Sequence, residues 1–80
     1  MVLSGELRFA TVAAALAQAG GADTLDLTSV TRADSAGIAL LLELRRRASK
    51  RGHALRISGA NSQVRGLIRF FGLENILELS

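Results

Sequence analysis

The 80-residue chain contains no cysteine, no proline, no tryptophan and no tyrosine, and it has one histidine. Without cysteine, no disulfide staples the chain, and no zinc-ligand set is present. Zero cysteine agrees with a reducing cytoplasm. Three phenylalanines are the only aromatic residues, too few for a platform on which bases stack. No hydrophobic run is long enough to span a bilayer. Residues 1–5 lack the charged-then-apolar order of a signal peptide. Paired acid/base groups, a phosphate loop, a nucleophile elbow and a zinc-protease motif are all missing, and Gly20-Gly21 is not followed by a phosphate-loop pattern. No catalytic residue, metal site or cofactor is therefore expected.

What is present is apolar. Hydrophobic residues make up 49% and charged residues 21%, which is too apolar for disorder. No linker, repeat or low-complexity tract divides the chain, so one domain over residues 1–80 is expected. A domain this small buries about 60% of the surface its unfolded chain exposes. Packing alone must hold it, or a partner must help. Ten Lys and Arg against seven Asp and Glu give a net charge of +3, and nine of the ten are Arg. That excess points weakly to an acidic partner. It is too small, and lacks a reading motif, for nucleic-acid binding.

Periodicity divides the chain into seven elements. Residues 2–7 read as a strand with Gly5 as its weak point. Thr11 is placed to cap a helix whose Val12, Ala15, Leu16 and Ala19 share one face, ended by a glycine cap at Gly20. Leu25 and Leu27 alternate with Asp26, giving a strand over 24–28, and the polar residues 28–34 read as a loop. A long helix follows over about 35–51, with Leu40, Leu41, Leu44 and Ala48 on its apolar face. Ile38, Leu42 and Ser49 fall on its flank. Leu55 and Ile57 mark a third strand. Asn61 or Ser62 caps a third helix whose face is Val64, Leu67, Ile68 and Phe71, and Gly72 stops it. Residues 76–79 form a last short strand. The order β-α-β-α-β-α-β implies an α/β fold, a mainly parallel or mixed sheet covered by about three helices.

The most informative stretch runs from Asp26 to Gly37, where a strand ends, a polar segment turns, and Asp34-Ser35-Ala36-Gly37 opens a helix. A helix start offers free N–H groups and a positive dipole end. One reading makes Asp34 or Ser35 a helix cap and nothing more. The other makes Ser35 an exposed contact or phosphorylation site, with Ile38 and Leu42 beside it and small Ala36 and Gly37 admitting another chain. Asp34 would oppose a phosphate there by charge. Arg45, Arg46, Arg47, Lys50 and Arg51 form a basic stripe that reads as the solvated side of the helix. Arg65 and Arg69 read as a solvated pair, and His53 as a surface residue. Phe70 falls off its helix's apolar face, either packed under Leu73 or exposed as an anchor.

Asp26-Leu27-Thr28-Ser29-Val30, a short gap, then Asp34-Ser35-Ala36-Gly37 and an apolar helix resembles the signature of the STAS family. The first strand and helix, the third strand and the final helix with Phe71-Gly72-Leu73 match in order. The runs Ser4-Gly5-Glu6-Leu7-Arg8-Phe9-Ala10-Thr11-Val12 and Arg32-Ala33-Asp34-Ser35-Ala36-Gly37-Ile38-Ala39-Leu40-Leu41-Leu42 look most like its Mla branch of phospholipid-transport subunits. The resemblance implies a small STAS-like α/β domain without enzymatic activity. It further implies a partner, the MlaF-like ATPase subunit of an ABC transporter that maintains outer-membrane lipid asymmetry. The chain would then sit peripherally at the cytoplasmic face of the inner membrane. In that reading Ser35, Asp34, Ile38 and Leu42 carry the partner contact, while Asp26, Thr28 and Gly37 belong to the signature loop. The other branch implied is the anti-sigma-factor antagonist, bound by an anti-sigma factor and kinase and phosphorylated at the serine that Ser35 matches. Such antagonists often carry a second serine where this chain has Ala36.

Overall fold

A computed structural model describes residues 1–80. The elements are β1 (Val2–Leu7), α1 (Val12–Ala19), β2 (Thr24–Ala33), α2 (Ser35–Lys50), β3 (Arg56–Ser58), α3 (Ser62–Phe70) and β4 (Glu78–Leu79). The strands lie side by side in chain order, and all three pairings are parallel. No strand runs against the others, as a mixed sheet would require.

Alternation decides which face of the sheet is covered. Leu3 and Leu7 of β1, Leu25 and Leu27 of β2, and Ile57 of β3 are buried in one cluster with Leu41, Leu44, Val64 and Ile68 of the helices. Their neighbours Ser4, Glu6, Thr24, Arg56 and Ser58 are exposed. Parallel strands joined in sequence by right-handed crossovers put every helix on the same side. Accordingly α1 packs on β1 and α2, α2 spans β1 and β2, and α3 covers β2. Parallel sheets are usually buried on both faces. This one tolerates an open face because its outward positions are mostly polar. No helix is long and apolar enough to cross a membrane.

The expected loop over 28–34 is instead the second half of a ten-residue strand. Val2 of β1 faces Asp26, Ser4 faces Ser29, Gly5 faces Val30 and Glu6 faces Arg32. The register slips twice, and each slip adds one residue to β2. A bulge of this kind resets which side chains point inward. The buried residues of β2 therefore run Leu25, Leu27, Val30, Ala33, with the spacing changing from two to three. That breaks the alternation by which a strand is recognised. Asp26 serves the first slip, where its Oδ1 accepts the Thr28 amide at 2.8 Å. This hydrogen-bonding to Thr28 holds its carboxyl below the ordinary value. Gly5, with φ of +74°, serves the second.

Beyond Asp26 the short β3 no longer pairs with β2. Two side-chain amides from the start of α3 take its place. Asn61 Nδ2 donates to the carbonyls of Val30 (3.2 Å) and Thr31 (2.9 Å). Gln63 accepts from the Ala33 amide and donates to the Ala33 carbonyl, both at 2.8 Å. Asn61 also caps α3, its Oδ1 accepting the Val64 amide at 3.0 Å.

Several expectations at helix ends need correction. Thr11 sits at the start of α1 but does not cap it. Its hydroxyl donates to the Glu6 carbonyl at 2.7 Å instead, closing the β1–α1 turn. Gly20 ends α1 with right-handed φ of −58°, so it is no left-handed cap. Gly72 is one: with φ of +69° it lets its own amide reach the Arg69 carbonyl and the Leu73 amide reach the Ile68 carbonyl. Phe71 follows α3 and is half-exposed rather than on the core face. The basic stripe is partly spent within the chain. Arg51 binds Asp23 and the Gly20 and Ala22 carbonyls, tying the end of α2 to the α1–β2 turn. His53 Nδ1 lies 2.8 Å from the same Asp23 carboxylate. Arg45 donates to the Ile76 carbonyl, and Arg65 to those of Ala60 and Ser80.

Leu41 is fully buried where α2 crosses the sheet, whereas Leu42 beside it is only half-buried. Truncating Leu41 to Ala is expected to cost about 2–5 kcal/mol, and Leu42→Ala distinctly less. Chemical denaturation of the two variants checks this. Equal losses would contradict the placement of α2.

Candidate functional site

The start of α2 is built by one carboxylate and one missing side chain. Asp34 follows β2 in extended conformation. Its amide donates to the Leu7 carbonyl at 3.0 Å. Its Oδ1 accepts the Gly37 amide at 3.0 Å, capping the helix, and its Oδ2 accepts the Phe9 amide at 3.1 Å. One side chain thus joins α2 to the β1–α1 turn. The Gly37 amide, aided by that of Phe9, holds the Asp34 carboxyl below its ordinary value against a smaller opposing effect of desolvation. Gly37 lies directly on β1. A Cβ there would come within 2.9 Å of Leu7 Cβ and closer still to the Leu7 carbonyl.

With Asp34 as the cap, Ser35 is the first helical residue and its side chain is exposed. It stands at the rim of an apolar groove of about 280 Å³ lined by Ile38, Ala39, Leu42, Phe71 and Leu73. Across Ala39, a second apolar groove of about 300 Å³ runs between α1 and α2, lined by Val12, Ala13, Leu16, Ala36 and Leu40. The three phenylalanines gather at this end. Phe9, 84% exposed, is tied through its amide to Asp34. Phe71, 44% exposed, lines the first groove, and Phe70, 79% exposed, stacks on it edge-on with ring centres 5.3 Å apart. Exposed apolar residues contiguous with grooves mark interaction sites. No group of three or more His, Asp or Glu side chains is placed to hold a metal ion.

The residues singled out in the sequence separate into two sets. Ser35 and Leu42 share the first groove. Ile38 reaches that groove from below but is 2% exposed and belongs to the core, so it is no flank residue. Gly37 is buried against Leu7 of its own chain and opens no path for another. Asp26 and Thr28 stand apart, at the bulge of β2, where Thr28 meets the tight turn at Gly59. They shape the strand that carries Asp34. Phe9 and the apolar side of α1 were not singled out. A large apolar residue next to Arg8, in a turn and off every amphipathic face, is the signal that marks Phe9.

A one-sided parallel sheet under three helices, with an exposed serine opening the middle helix beside an apolar groove, defines a small α/β domain. The chain belongs to the STAS domain family: the model described as "Mlab, STAS domain" matches residues 1–78. Comparison with curated proteins gives no match. Among solved structures, the chain resembles a Thermotoga maritima protein crystallised as a candidate anti-sigma factor antagonist. The TM-score is 0.79 at 16% identity, over 98% of this chain and 75% of that one. At that identity the likeness shows the fold.

The lowered Asp34 carboxyl carries a sign. A carboxylate whose folded pKa is depressed stabilises the fold fully above its ordinary value, here 3.8, and loses that contribution as pH falls through the lowered value. Asp34→Asn should therefore melt below the parent at neutral pH, and the gap should close in acid. Thermal melts from pH 7 to 2 and carboxyl NMR titration check this. An Asp34 titrating at or above the ordinary value would contradict the geometry.

Proposed function

We propose that this chain is a single-domain, non-enzymatic docking subunit whose contact surface is the exposed start of α2. Its partner, in this reading, is the cytoplasmic ATPase subunit of an ABC-type phospholipid transporter. The observation that carries the surface is the exposed Ser35 at the rim of an apolar groove that it shares with Phe71, with a second apolar groove on the other side of Ala39. The match to the MlaB-type family model supports the choice of partner. The chain would reach the inner membrane only through that ATPase, in support of outer-membrane lipid asymmetry.

The second reading, a switch set by phosphorylation of Ser35 and read by an anti-sigma factor, draws on the exposed hydroxyl and the likeness to the Thermotoga fold. A phosphate there would meet free helix N–H groups but also the Asp34 carboxylate one residue away, which opposes it. Ala36 supplies no second hydroxyl.

Four variants separate the readings, each tested by pull-down against a purified transporter ATPase and an anti-sigma factor. If the surface docks an ATPase, Ser35→Glu and Ser35→Leu lose it by steric and charge conflict, while Ser35→Thr keeps it. A phospho-switch gives another pattern: Ser35→Ala stays bound to the anti-sigma factor and only Ser35→Glu is released. Binding of folded Ser35→Glu and Ser35→Leu at parental strength to every partner would reduce Ser35 to an ordinary helix residue.

A further inference from the structure

The outer face of α2 changes character along its length. Ser35, Ala39, Leu42, Arg46 and Lys50 recur at spacings of four, three, four and four, which places them on one stripe of the helix. Its first half is small or apolar and flanked by the two grooves. Its second half is cationic. Of the cations there, Arg51 is held by Asp23 and Arg45 turns to the Ile76 carbonyl. Glu43 accepts from Arg46 at 2.8 and 2.6 Å and from Arg47 at 2.9 Å. One carboxylate so shared leaves positive charge over, and Lys50 and the outer side of Arg46 remain exposed.

We infer that the segment seated on α2 is an amphipathic helix of the partner, apolar where it crosses Ala39 and Leu42 and acidic where it reaches Arg46 and Lys50. A small ridge at Ala39 between two grooves is the relief into which the side-chain ridges of a second helix fit, with axes about 8–10 Å apart. The stripe from Ser35 to Lys50 is about 22 Å long at helical rise, so four turns of helix cover it. Charge complementarity chooses the occupant. A second copy of this chain carries the same net charge of +3 and presents the same arginines. A lipid surface fills no grooves. The inference rests on the docking surface proposed above and names the chemistry of what docks there.

The test measures affinity for the purified ATPase at low and high salt, with each variant's fold checked by circular dichroism. Arg46→Glu/Lys50→Glu should weaken binding about tenfold or more at low salt, with the loss shrinking as salt screens it. Lys50→Glu alone, which leaves the Glu43 pairs intact, should show the same trend more weakly. Leu42→Ser should weaken binding at both salts alike. Charge-reversed variants that bind as the parent does, while Ser35→Glu abolishes binding, would overturn the acidic helix and leave the surface standing. If Ser35→Glu also binds normally, the surface itself fails; if no ATPase binds the parent, the proposed partner fails and the inference with it. Dimerisation of the chain through α2, or binding to phosphatidylglycerol vesicles that these variants abolish, would assign the stripe to another occupant and overturn the inference.

Discussion

The first turn of α2 rests on the backbone of Leu7 with no side chain between them, and the rest of the molecule is arranged around that contact. Gly37 is the residue that permits it, since any Cβ would collide with Leu7. The amide of Asp34 donates to the same Leu7 carbonyl, so helix and strand are joined by a hydrogen bond as well as by packing. Once that corner is fixed, helical geometry sends Ile38, Leu41 and Leu44 into the core and turns Ser35, Ala39 and Leu42 outward. The exposed serine is thus a consequence of where the glycine must lie.

The open face of the sheet and the apolar end of the helical layer make a pair. On the open face, polar residues such as Thr24, Arg56 and Ser58 meet water, and that face has no call for a cover. At the start of α2, apolar side chains are exposed beside grooves although a small domain has little apolar surface to spare. Stability is gathered elsewhere by ties that use backbone carbonyls. Asn61 and Gln63 complete β2 where β3 is too short, and Arg51 anchors the far end of α2. Asp34, bonded to Leu7 and Phe9, holds the start of α2 as Arg51 holds its end, and a surface held in this way has a lower ordering cost on docking.

Much of this was legible in the sequence, because helix faces and glycine stops are local signals. The α2 face of Leu40, Leu41, Leu44 and Ala48 is buried as its period required, and Gly72 ends α3 as a left-handed cap. Ser35, left open in the sequence between a helix cap and an exposed contact, is exposed, and Leu42 on the expected flank is half-buried. The second half of β2 could not be read from spacing, since two bulges carry its buried residues out of alternation. Nor could the burial of Ile38, which depends on how deeply Gly37 lets the helix settle onto β1. Phe9 is marked locally as an apolar residue off every amphipathic face, but its place beside α2 rests on a hydrogen bond to a residue 25 positions away, which the sequence does not show.

The central claim is that partners read the helical end of this molecule and leave the open sheet face alone. Amide chemical-shift mapping of the isotope-labelled chain, titrated with the transporter ATPase, tests it most directly. The account predicts that shifts and broadening gather at Phe9, Ser35, Ala39, Leu42 and Phe71, with Thr24, Asp26, Arg56 and Ser58 unmoved. Perturbations centred on those four sheet residues, with the start of α2 silent, would contradict it.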